Sequence, residues 1–328
     1  MIDTSKANFN SIYNTLKNAP DFRNQMYNTM IELMDNQEKL FAKQESNLPP
    51  DLAEKLIRIR QRSSEHPVFQ LFRDNPLAKA LTERYNNKQQ LRLMKYMTRV
   101  QDKAAQKMLE DKEFAKPFAE LEEFDAVILS VDIRRSTELM LRAKSPQFYA
   151  EFINELNTML IDVVKENFGI YDKFTGDGLL AFFPDFYSGK DALIYALECA
   201  DECKAVFNSI FNKYQDNFNI DRRITGLGAG IDCGSVYKAG VETEYTVVGS
   251  PVVYACRLSC APAGSTYITV RAQNKLSSMN CTYFDSQPTK VAIKHEATAY
   301  AFSITRKPNA RLHLNEPDWY NSTPATKL

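Results

Sequence analysis

The 328-residue chain reads as an α+β protein: a ferredoxin-like β-α-β-β-α-β unit preceded by an all-helical N-terminal region. Three observations predict this. Residues 1–115 contain no glycine and no strand-type alternation. A β-branched apolar run, Phe124 to Val131, then opens a stretch in which strand and helix patterns follow one another. Within it, Thr175-Gly176-Asp177-Gly178 lies between two apolar runs, the signature of a tight hairpin turn.

The elements follow in order. Asn18-Ala-Pro20-Asp21 and Asn47-Leu48-Pro49-Pro50-Asp51 break the N-terminal region, and Asp51 suits the cap of a helix starting at Leu52. From Leu77 to Leu109 the pattern predicts one long amphipathic helix, with Leu93, Met97, Val100, Ala104 and Met108 at three- and four-residue steps. Its other face carries Lys88, Arg92, Lys95, Arg99, Lys103 and Lys107, read as a solvated basic stripe. The character changes near Lys116-Pro117. Phe124–Val131 predicts a buried strand, Ser136/Thr137 a helix cap, and Gln147–Phe168 a helix closed by Gly169. Tyr171–Phe183 predicts two strands and Lys190–Phe211 a helix. Ile224–Asp232 predicts a strand, Gly234-Ser-Val-Tyr-Lys-Ala-Gly240 continues into a hairpin, and Val247-Val248-Gly249 leads into a helix through Tyr254 and Arg257. Tyr267–Val270 and Ala299–Ile304 read as the last strands. The expected organisation is a helical region over 1–115, suited to dimerisation or regulation, an α+β domain over 116–308 that carries the candidate site, and a polar tail over 309–328.

Composition narrows the function classes. Apolar residues make up 44% and charged residues 25%, and 41 basic residues balance 41 acidic ones. A neutral chain has no global attraction to nucleic acid or acidic membranes, so neither is expected as a partner. The opening residues lack a signal peptide's apolar core, and no stretch approaches the ~20 apolar residues that span a bilayer. Six cysteines without a C-x-x-C pair read as small buried hydrophobes in a reducing cytoplasm.

The chemistry concentrates between Ala126 and Pro184. Asp132 ends the first apolar run and Asp177 sits in the hairpin turn. Either alone serves equally well as a helix cap or a turn residue. Brought together, two carboxylates make a site for hard divalent cations, Mg²⁺ or Mn²⁺.

Three ordered motifs over about residues 124–304 resemble the catalytic domain of class III nucleotide cyclases. The first is Val131-Asp132-Ile133-Arg134-Arg135-Ser136-Thr137, the second Lys173-Phe-Thr-Gly176-Asp177, and the third Gly249-Ser-Pro-Val252-Val253-Tyr254-Ala255-Cys256-Arg257-Leu258. The resemblance implies a ribose 3′-hydroxyl attacking its own α-phosphate and expelling pyrophosphate over two divalent ions per site. Asp132, Asp177 and the Ile133 backbone carbonyl would be the metal ligands. Arg257 would be the catalytic arginine meeting charge on the phosphate. Lys173 and Thr246 would read the base, and Lys294 would reach the terminal phosphates, although Lys294-His295 replaces the family's Lys-Gly. Composite sites imply a homodimer, with Asp132 and Asp177 from one subunit and Lys173, Thr246 and Arg257 from the other.

The pattern departs from the family at Val253, where a ribose-orienting asparagine is expected. A pyrimidine pocket needs added bulk, which Val253-Tyr254 can supply. The chain thus resembles the pyrimidine cyclases of bacterial Pycsar anti-phage systems, which implies synthesis of cyclic UMP or cyclic CMP sensed by a separate effector protein. Lys173 suits the O4 acceptor of uracil, so UTP is expected first and CTP second. An adenylate cyclase and an inactive nucleotide-binding scaffold are the remaining readings.

Overall fold

A computed structural model describes residues 87–221, 224–241, 244–279, 281–291, 299–307 and 314–321. Lys294 and the helical region expected over residues 1–86 lie outside these. The chain divides into two compact units, one drawing on residues up to Thr98 and on Lys107–Glu120, the other on Arg99–Gln106 and on Leu121 onward.

Three helices come first: α1 (Asn87–Met97), α2 (Asp102–Glu110) and α3 (Lys112–Glu120). The single long helix expected through Leu109 is therefore broken. The Arg99 carbonyl accepts from the Tyr171 amide at 3.1 Å, and the Gln101 amide donates to the Tyr187 phenol oxygen at 3.2 Å. Backbone groups that a continuous helix would pair internally are spent on the sheet unit instead. Asp111 restarts the helix, its carboxylate accepting from the Glu113 and Phe114 amides. Pro117 lies inside α3. The basic stripe is not uniformly solvated, because Arg92 is buried and donates to the Ala119 carbonyl at 3.3 Å.

The second unit is built on one mixed sheet. Its elements are β1 (Glu123–Arg134), α4 (Ser136–Leu141), α5 (Pro146–Glu166), β2 (Ile170–Phe174), β3 (Leu179–Pro184), α6 (Asp185–Ser188), α7 (Ala192–Tyr214), β4 (Gly226–Val241), β5 (Glu244–Val248), α8 (Ser250–Leu258), β6 (Thr266–Thr269), α9 (Val270–Ser278), β7 (Phe284–Val291), β8 (Ala299–Arg306) and α10 (Asp318–Asn321). The strand order is β2-β3-β1-β4-β6-β8-β7, with β5 paired to β4. Its first half, β2-β3-β1-β4, is the ferredoxin-like arrangement expected from sequence. β4 pairs parallel with β6, and every other pairing is antiparallel. The hairpin expected from Gly234–Gly240 forms: β4 runs as a single 16-residue strand to Val241 and pairs antiparallel with β5. Gly169 is not the positive-φ residue closing α5, a role taken by Phe168 at φ 54°.

Alternation along β1 and β4 sorts the two faces. Leu129, Val131, Ala229 and Ile231 are fully buried on the face that α7 covers. There α5 packs through Phe152, which meets Phe207, Phe211, Tyr214 and Phe218 edge-on at centroid distances of 5.3–6.2 Å. Ser130 pairs with Gly230, and Asp132 with Gly228, on the opposite face, which receives α8.

Glu198 of α7 is buried and its Oε2 accepts from Arg306 Nη1 at 2.6 Å. Burial, only partly offset by Arg306, raises its pKa to about 7. The folded state thus holds a proton that the unfolded chain has released. Stability is greatest below the ordinary carboxylate range and falls as pH rises toward 7. Thermal midpoints measured from pH 4.5 to 8 are expected to decline across that window, and Glu198→Gln is expected to flatten the slope.

Within the segment expected as a polar tail, residues 314–321 pack on the sheet unit. The Trp319 indole donates to the Tyr187 carbonyl at 2.7 Å and stacks on the Tyr187 ring at 5.3 Å. Of the six cysteines, Cys199, Cys203 and Cys233 are buried as expected, whereas Cys256 and Cys260 are exposed.

Candidate active site

Asp132 lies near the end of β1, on the α8 face of the sheet. The Thr175–Gly178 turn between β2 and β3 delivers Asp177 to the same place. Gly178 makes this approach possible, because a Cβ there would stand 2.3 Å from the Val131 carbonyl oxygen and 3.3 Å from the Asp132 Cα. Burial raises the Asp132 pKa, the nearby Asp177 charge raises it further, and Arg134, whose Nη1 lies 3.1 Å from Oδ2, pulls it down. Asp132 thus carries a burial penalty and a second carboxylate nearby, which Arg134 only partly offsets. That fits a divalent-cation site, and Ile133, whose side chain is buried, can add its backbone carbonyl. Among the described residues no group of three or more His, Cys, Asp or Glu side chains gathers to hold a metal. Sequence reasoning missed Tyr149 of α5. Burial raises its phenol pKa and the Asp177 charge adds to the rise.

Thr246 meets β2 at Asp172, a residue the sequence reading passed over. β2 carries one extra residue between its Tyr171–Ala181 and Lys173–Leu180 pairs, and that residue is Asp172. Its side chain is 1% exposed. The Thr246 hydroxyl donates to Asp172 Oδ2 at 2.5 Å, and Arg99 Nη1 donates to Asp172 Oδ1 at 3.3 Å and to the Tyr245 carbonyl at 3.0 Å. Lys173, the next residue, is exposed. A buried carboxylate bonded to a hydroxyl in the next hairpin has no periodic signal. Only the bulge gives it away, and the bulge is a property of strand pairing.

α8 begins after Gly249, whose φ of 155° places the chain over β4. It presents different residues to its two flanks. On one, Cys256 reaches toward β1 and β2: although the residue as a whole is exposed, burial raises its thiol pKa, while Ser130 and Lys173 lower it and Asp172 and Asp132 raise it. On the other, Ser250, Tyr254 and Leu258 line a cleft of ≈ 510 Å³ with Asp232, Arg271 and Tyr300. Tyr254 thus faces this cleft and packs on Leu258, Val291 and Ala301, while Cys256 lies on the flank where the Lys173 charge acts on its thiol. Arg257 is half-buried, its guanidinium carbon 6.0 Å from the Tyr254 ring centre. Asp177 lies close enough to Asp132 to raise its pKa, Thr246 bonds Asp172, the chain neighbour of Lys173, and Arg257 stands on α8 near Tyr254.

No family model matches the chain, and no curated protein matches it. Solved structures do. The adenylyl cyclase CyaB from P. aeruginosa aligns with a TM-score of 0.50 at 20% identity, over 58% of this chain and 98% of its own. The guanylyl cyclase Cya2 aligns with a TM-score of 0.48 at 20% identity, over 62% of this chain and 98% of its own. The guanylate cyclase domain of RhGC from Catenaria anguillulae, solved with GTP, aligns with a TM-score of 0.47 at 17% identity, over 57% and 100%. At these identities the likeness speaks for the fold. The sheet from β1 to β8 with its flanking helices has the class III nucleotide cyclase fold.

Proposed function

We propose that this chain is a nucleotide cyclase that converts a nucleoside triphosphate to its 3′,5′-cyclic monophosphate and pyrophosphate. The observation that carries the reading is the convergence of Asp132 and Asp177 beneath Gly178 on a sheet of this fold. Asp132, Asp177 and the Ile133 carbonyl would hold Mg²⁺ or Mn²⁺, two ions per site, supplying the positive charge that favours the 3′-alkoxide and the departing pyrophosphate. The 3′-oxygen forms the new bond to the α-phosphorus as the bond to the bridging oxygen breaks. The Arg257 guanidinium meets the charge building on the phosphate. Lys173 and Thr246 hold the base edge, and Lys294 is assigned to the terminal phosphates.

The reading includes a homodimer with shared sites. Exposed apolar side chains flank both residue sets, Met140 and Leu141 after the Asp132 loop, Val248 and Val253 beside Thr246 and Arg257, so a second copy would cover both. Resemblance to the Pycsar cyclases supports UTP as substrate, with CTP next, and a cytoplasmic messenger read by a separate effector in anti-phage defence. Val253 in place of asparagine supports a pyrimidine; the Lys173/Thr246 pair supports ATP as the second reading.

The test is incubation with ATP, GTP, CTP or UTP and Mn²⁺, with cyclic product and pyrophosphate both measured. A cyclic pyrimidine product supports the reading in full, cyclic AMP as main product moves it to the second, and no product from any of the four rejects it. Mixing Asp132→Ala with Arg257→Ala is expected to restore activity in co-assembled dimers, up to roughly a quarter to a half of the parent's, because one composite site stays intact. Verified heterodimers without activity would reject shared sites.

A further inference from the structure

We propose that Asp172 is a positioning residue that fixes the polarity of the Thr246 hydroxyl, with Arg99 as the group that holds Asp172 in place. The inference rests on the reading of Lys173 and Thr246 as the pair that meets the base. A carboxylate only accepts hydrogen bonds, and a hydroxyl has one proton to give. With that proton committed to Asp172 Oδ2, Thr246 can offer the substrate only its lone pairs. The site therefore asks for an N–H on the base edge at Thr246, next to an acceptor for the Lys173 ammonium. A bare carbonyl placed at Thr246 would face oxygen against oxygen, which is how a small hydroxyl gains the discrimination it lacks when free to rotate.

The arrangement is built rather than incidental. Asp172 is the one inserted residue of β2, and the bulge turns it inward where an unpaired charge would be costly. Arg99 supplies the countercharge, anchored in turn by the Tyr245 carbonyl beside Thr246 and by its own carbonyl on Tyr171. The residue that steadies the base-reading hydroxyl thus comes from the short stretch between α1 and α2, ahead of the first strand. Changes in that stretch bear directly on base choice.

Asp172→Asn inverts the arrangement. Arg99 keeps the side-chain oxygen as its acceptor, so the amide nitrogen turns to Thr246 and donates, and the hydroxyl proton is freed toward the substrate. The experiment compares the parent, Asp172→Asn, Thr246→Val and the double variant, measuring kcat/KM for each of the four nucleotides and, separately, their dissociation constants with Mn²⁺. The expected result is a fall of about tenfold in the ratio of best to worst nucleotide for Asp172→Asn, with no further fall in the Thr246→Val background. A merely structural role predicts losses that are uniform across nucleotides and that persist without Thr246; that outcome, or an unchanged ratio, overturns the proposal. Thermal melting checks folding. If Asp172→Asn does not fold, Arg99→Gln replaces it and must lower the same ratio, again only where Thr246 is present. A chain that binds nucleotides selectively but cyclises none rejects the proposed function while still testing the positioning role through the dissociation constants. Binding of none rejects both.

Discussion

Asp132→Ala is expected to abolish cyclic product, by at least about 10³-fold, without weakening the fold. The two halves of that result belong together. Burial and the Asp177 charge both raise the Asp132 pKa, and Arg134 does not fully cancel them, so the ionised carboxylate is held at a cost to folding at neutral pH. Removing it relieves a repulsion. A variant as stable as its parent, or slightly more so, yet inactive, marks a residue kept for chemistry rather than packing. Melting in the presence of Mn²⁺ supplies a second measurement. The cation is expected to raise the midpoint of the parent by binding the folded state and to leave Asp132→Ala unmoved. A destabilised variant that still responds to Mn²⁺ would count against the metal assignment.

The largest effect on stability is expected from Gly230→Ala. A Cβ at this position of β4 would lie 2.1 Å from the Ala255 carbonyl oxygen, 2.4 Å from the Ser259 nitrogen and 2.7 Å from the Leu258 carbonyl carbon. All three are backbone atoms of α8 and its end, so no side chain can rotate out of the way. The helix must lift from the sheet or the central strand must bow, at a cost of about 3 kcal/mol or more. Because α8 carries Arg257, activity is expected to fall even in molecules that remain folded. Urea unfolding and product formation, measured on the same preparation, check both. A loss below about 1 kcal/mol would mean that α8 does not rest on β4 as described.

Much of the fold was legible because it is written in local periodicity. Phe124–Val131 and Leu179–Phe183 read as buried strands from their apolar runs, α5 and α7 from helical spacing, and the hairpin from Thr-Gly-Asp-Gly. The site was legible where a motif joins an acid to a strand end, as at Asp132 and Asp177. What failed has a common cause. The long helix through Leu109 was broken by hydrogen bonds from Tyr171 and to Tyr187, both distant in sequence. Local patterns are equally silent on packing: Tyr254 lines the cleft with Asp232 and Arg271, while the Cys256 thiol reaches toward Ser130 on the other flank of α8.

The sequence by itself determined which residues can do the chemistry: two acids at strand ends, a lysine in the hairpin, an arginine on a helix, in an order that resembles one kind of enzyme. Only the tertiary structure decided that Asp172 lies buried between Thr246 and Arg99, that Gly178 lets the two acids meet, and that Gly230 seats the helix bearing Arg257. The reason is physical. Periodicity records which side of an element avoids water, whereas a one-residue bulge or the close approach of two backbones depends on pairings between segments far apart in the chain, and these settle where each side chain points.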